Sequence, residues 1–100
     1  MEEILLTVGE EQTISIGDYN IKFTFDPFNH EWHYDLSLIN GEVLLTNVML
    51  RINTYPLKDI ADRYDYPKIC LIDKNPDSEE EINPMLDFGD RLGVFEIVEA

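Results

Sequence analysis

The stretch EWHYDLSLINGEVLLTNVML, residues 31–50, constrains the fold more than any other part of this chain. Apolar and polar residues alternate on both sides of Asn40-Gly41, and a period of two marks strands with one buried face. Asn-Gly is the pair preferred for a two-residue type I′ turn, where both positions need positive φ. Pairing Ile39 with Glu42 then sets Leu38 against Val43, Leu36 against Leu45, Tyr34 against Asn47 and Trp32 against Met49. A one-residue slip would turn this apolar set to solvent, so the register is strongly specified. The expected core positions here are Trp32, Leu36, Leu38, Val43 and Leu45. The opposite face carries His33, Asp35 and Ser37 but also Leu44, Val48 and Leu50, so part of it is expected to be covered as well.

A second hairpin precedes this one. In QTISIGDYNIKFTF the residues Ile14 and Ile16, then Tyr19, Ile21, Phe23 and Phe25, again alternate with polar neighbours. Gly17-Asp18 suits a type II′ turn, with glycine supplying positive φ at the first position. Ile16 then faces Tyr19, and Phe23 joins the core. Downstream, KICLI (68–72) and RLGVFEIVE (91–99) read as two further strands, with Gly93 marking a candidate bulge in the last. PLKDIADRY, with Pro56 at its first position, predicts one short helical turn. NPDSEEEINP, residues 75–84, is a proline-bounded acidic loop. The expectation is one all-β domain over residues 1–100, a small antiparallel barrel or sandwich of six or seven strands built from hairpins.

Composition narrows the function. The chain has 100 residues, 44% of them hydrophobic, as in an ordinary folded domain. No apolar run approaches the roughly 18 residues of a membrane span. The acidic opening MEEILLTVGEEQ lacks the positive start of a secretory signal. Twenty-one Asp and Glu against seven Lys and Arg give a formal charge of −14. Such a surface repels nucleic acid and anionic membranes, and its partners are expected to be neutral or basic. The plain account of the charge is solubility; the sharper one sets it against a basic partner or uses it to hold DNA away.

Few residues carry reactive chemistry. FNHEWHYDL gathers two histidines, an indole and two carboxylates. His30 and His33 are three apart, however, and odd separations on a strand point to opposite faces. Trp32 shares the parity of Leu36 and Leu38 and reads as a core anchor. DKNPDSEEE begins like a calcium loop at Asp73, Asn75 and Asp77. Ser78 stands where the sharp turn needs glycine, and Pro84 where a bidentate glutamate belongs. Cys70 lies between apolar neighbours and reads as a buried, unreactive thiol. There is no Gly-x-Ser-x-Gly and no glycine-rich phosphate loop. The expectation is a protein that is not an enzyme, with no cofactor, metal or small-molecule substrate. Phe28, Tyr55, Tyr64 and Tyr66 fall in expected loops, where aromatics either pack beneath the loop or anchor an interface.

The order of QTISIGDYNIKFTF, NHEWHYDLSLINGEVLLTNVML, KICLIDKNPD and LDFGDRLGVFEIVE resembles the small plug proteins of phage tail baseplates, typified by a cyanophage contractile-tail plug domain. DRYDYP lacks the glycines that family usually carries before its matching strand. The resemblance implies a virion structural component beside hub and tube proteins, located in the virion tail and, during assembly, in the bacterial host cytoplasm. It would act by surface complementarity. The competing expectation is a free acidic inhibitor that binds a basic host protein or mimics DNA.

Overall fold

The computed structural model describes residues 2–54, 64 and 66–97. Tyr55 lies outside the described residues, as does nearly all of the helical turn expected over residues 56–64. The described chain is all-β. Its strands are β1 (Glu2–Ile4), β2 (Gln12–Ile16), β3 (Tyr19–Asp26), β4 (Glu31–Leu38), β5 (Val43–Leu50), β6 (Ile69–Asp73) and β7 (Leu92–Glu96). They form two antiparallel sheets, β2-β3-β4-β5 and β1-β7-β6, which do not close into a barrel. One apolar cluster joins them: Ile21, Phe23, Trp32, Tyr34, Leu36, Val48 and Leu50 of the first sheet meet Ile69, Leu71, Leu92 and Val94 of the second.

The first hairpin forms as expected. Ile16 pairs with Tyr19, and of the turn pair only Gly17 has positive φ, at 55°. The second turn departs from a type I′ geometry. The Gly41 amide donates to the Leu38 carbonyl (2.9 Å), the Leu38 amide donates to the Glu42 carbonyl (2.8 Å), and Gly41 alone has positive φ, at 96°. This is a three-residue loop, Ile39–Gly41, closed by a glycine bulge. The Asn40 carboxamide oxygen accepts from the Glu42 amide at 2.9 Å, so Asn40 supports the turn through its side chain and leaves the positive φ to Gly41.

The extra loop residue shifts the register. Val43 pairs with Ser37, on the outer face, and is 61% exposed; it is not a core residue. A second irregularity returns Leu45 to its expected place opposite Leu36, half-buried against the core. A third sets Thr46 and Asn47 opposite Asp35 alone, so that Val48 pairs with Tyr34 and Leu50 with Trp32. Asn47 takes φ 53°, and its amide donates to the Asp35 carboxylate at 2.8 Å. This bulge resolves the mixed face expected from a regular register, because it turns Val48 and Leu50 inward. Phe23, Trp32 and Leu36 are buried as expected, and Leu38 is half-buried.

The second sheet is assembled from the two ends of the chain. Gly93 causes no bulge, since β6 and β7 pair without interruption from Ile69↔Glu96 to Asp73↔Leu92. A Cβ there would lie 2.8 Å from the Phe95 ring, with Lys74 and Glu3 close by. Glycine lets the Lys74–Glu3 ion pair (2.8 Å) cross the strand.

Candidate functional site

The β3–β4 connection presents the most exposed aromatic of the described residues. Asp26 ends β3, and its Oδ1 accepts from the amides of Phe28 (2.9 Å) and Asn29 (3.3 Å). Its Oδ2 accepts from the Asn29 carboxamide at 2.8 Å. These bonds, the Asn29 side chain first, hold the Asp26 carboxyl below its ordinary pKa. Pro27 restricts the turn further, and His30 closes it at φ 54° with its ring 6.4 Å from that of Phe25. The result is a braced turn whose apex, Phe28, is 92% exposed.

Beside this turn lies a groove built around Trp32. The segment 74–91 leaves β6, passes over the end of the four-stranded sheet and returns to β7. On the way Phe88 stacks on the Trp32 indole (centroids 3.8 Å, planes 13°), and the indole N–H donates to the Pro84 carbonyl at 2.6 Å. Asn83 braces the crossing, because its Oδ1 accepts from the amides of Met85 (3.2 Å) and Leu86 (3.1 Å). The segment before β2 packs on the same crossing through the Gly9 amide, which donates to the Phe88 carbonyl at 2.8 Å. These elements border an open groove of about 490 Å³ lined by Gly9, Glu10, Glu11, Phe25, Pro27, Trp32 and Met85. Its charged lining groups are both carboxylates. Glu11 is fixed at the rim by accepting from the Phe25 amide at 3.2 Å. A smaller cleft of about 200 Å³ lies across Trp32 and Pro84, with Glu31 and Arg51 both at its edge.

The aromatics expected at an interface do not converge. Tyr64 is 57% exposed, but it stacks on Tyr66 (5.4 Å, 21°), which packs edge-on against Tyr19 (6.1 Å). Tyr19 and Phe25 stand near opposite ends of β3, roughly 20 Å apart at strand rise. Phe28 and the Tyr64–Tyr66 pair therefore belong to different ends of the molecule. Tyr66 is packing rather than an open anchor.

The other chemical candidates have structural occupations. Asp73, the first position of the calcium-like segment, accepts from Arg91 Nε (2.9 Å) and Nη2 (3.0 Å), and Arg91 Nη1 donates to the Glu80 carbonyl (2.8 Å). The Arg91 guanidinium holds the Asp73 carboxyl below its usual range, helped by the Asn75 amide. Cys70 is buried, and burial pushes its thiol up, away from the reactive thiolate. His33 pairs with Met49 within the sheet, its Nε2 buried with no hydrogen-bond partner among the described residues, while His30 sits in the turn. Among the described residues no group of three or more His, Cys, Asp or Glu is placed to hold a metal.

Pro27, Met85, Glu10, Glu11 and Phe88 were not foreseen as parts of one site. NPMLDFGD carried the available signal, since Met85, Leu86 and Phe88 are apolar within an acidic, turn-rich loop. What brought these segments together is tertiary, through Trp32. The chain matches no protein-family model, no curated protein and no solved structure.

Proposed function

We propose that this chain is a non-catalytic assembly module that docks onto protein partners through the Phe28 turn and the adjoining groove. The observation that carries this reading is a fully presented aromatic on a turn braced by Asp26. An exposed phenylalanine on a rigid turn pays little ordering entropy on binding, and aromatic anchors dominate interface energetics. Burying Phe28 in a partner should supply about 2–4 kcal/mol. The formal charge of −14 favours basic or neutral partners and repels DNA.

The proposed setting is a phage or phage-like tail baseplate, beside hub and tube proteins, and it rests on the hairpin resemblance in the sequence. The chain would then be a plug-like structural component of the virion tail that binds no cofactor and catalyses no reaction. Capture of partners by the tagged protein from its phage-producing host, followed by mass spectrometry, tests this. Tail hub, tube or baseplate proteins should be recovered by the wild type and lost with Phe28→Ser. Recovery of a basic host protein without tail proteins would instead support an acidic inhibitor.

A further inference from the structure

We infer that the groove over Trp32 receives one apolar side chain flanked by lysine or arginine, supplied by a loop or terminus of a partner protein. This rests on the assembly reading and adds the chemistry of the partner segment. Three observations converge. Phe25, Pro27 and Met85, over the edge of the buried Trp32, give the open groove apolar walls, with about 490 Å³ of space, enough for a large side chain. Its charged lining groups are Glu10 and Glu11, both exposed carboxylates, with no cation among the lining residues. The walls are set in advance: Trp32 is held by Phe88 and the Pro84 carbonyl, and Glu11 by the Phe25 amide.

This arrangement selects among occupants. A lysine or arginine can lay its methylene stem along Pro27 and Met85 and set its charged head against Glu10 or Glu11. An acidic or phosphorylated segment would meet like charge at the rim. A second copy of this chain is disfavoured for the same reason, because it too carries a net charge of −14. Phe28 stands next to Pro27 in the chain, so a partner seated in the groove lies within reach of that aromatic as well.

The test uses the intact protein, two synthetic peptides and two-dimensional amide NMR. The probes are acetyl-Lys-Leu-Lys-Phe-Arg-amide and acetyl-Glu-Leu-Glu-Phe-Glu-amide. The cationic peptide should shift the Trp32 indole N–H and the amides of Met85 and of Gly9 to Glu11, and the acidic peptide should not. Glu10→Lys should weaken the cationic peptide at least fivefold at fixed salt. Among the described residues Glu10 bonds through its backbone carbonyl, which accepts from the Gln12 carboxamide, and not through its side chain. Met85→Glu should weaken apolar seating by a similar factor. Shifts spread over the acidic loop 77–81, with the groove signals unmoved, would overturn the proposal. So would equal binding by Glu10→Lys. If the wild type captures tail proteins while the cationic peptide leaves the groove untouched, the groove assignment fails and the assembly reading stands. Groove binding with no tail protein captured supports the groove and removes the tail setting.

Discussion

The two sheets of this molecule are built in contrasting ways. The four-stranded sheet is a meander in which every neighbour in space is a neighbour in sequence. The three-stranded sheet joins residues 2–4 to residues 92–96 and leaves segment 74–91 to cross to the other sheet between β6 and β7. The meander has a continuous apolar inner face. The other sheet carries an electrostatic fault: Glu2 stands directly opposite Glu96, and one Glu96 carboxylate oxygen is buried without a hydrogen-bond partner among the described residues. Burial first, and Glu2 second, push the Glu96 carboxyl up. Local hairpins supply the frame, and the non-local sheet supplies the loop that makes the site. The groove exists where the two meet, at Trp32.

The largest test of that junction is Trp32→Ala. Trp32 is buried between the meander and Phe88, so its loss should cost about 3–5 kcal/mol. Circular dichroism should show both sheets melting together at a lower temperature. Loss of one sheet alone would show that the two are energetically independent.

Next comes Tyr34, packed against Phe23 in the meander, with its phenol pushed up to about 12 by burial. Its folded pKa lies above the unfolded value of about 10. The associated stability is present below pH ~10 and lost as pH rises through about 12, and two units correspond to roughly 3 kcal/mol. Tyrosinate absorbance should show Tyr34 ionising last, together with unfolding; early ionisation in a folded protein would contradict its burial.

The bulged strand offers a paired comparison. Val48→Ala should cost about 2 kcal/mol and Val43→Ala no more than about 0.5 kcal/mol, as read by denaturant midpoints. The reverse order would restore the regular hairpin register.

The smallest effect is a gain. Glu96→Gln removes the repulsion from Glu2 and should raise the thermal midpoint slightly at neutral pH. The sign follows from the raised pKa: the carboxyl's contribution is present below its unfolded value and lost as pH rises through the folded one. The gain should therefore vanish in acid. A loss of stability at neutral pH would show that the Glu96 carboxylate is satisfied rather than strained.

These residues also show what the sequence could reveal. Period-two patterning located β2 to β5, and it buried Phe23, Trp32 and Leu36 as expected, because hairpin pairing depends on neighbours a few residues away. It misplaced Val43, since three-residue loops and bulges leave no period of their own. Asn47 was the clue, because asparagine tolerates the left-handed backbone a bulge demands. The site was the least legible part. Phe28 was visible as a loop aromatic, but its groove needs Met85 and Glu10 brought together across more than 70 residues of chain. β1 was missed for the same reason, since EEI has no strand pattern until β7 lies beside it.

The proposed docking surface is the Phe28 turn. A photocrosslinking phenylalanine analogue at position 28, activated in cells that make the proposed tail particle, tests it most directly, with position 13 on the outer face of β2 as the control. Adducts to one or a few discrete proteins, tail components among them, are expected from position 28 and not from position 13. No adduct at position 28, or the same adducts from both positions, would contradict it.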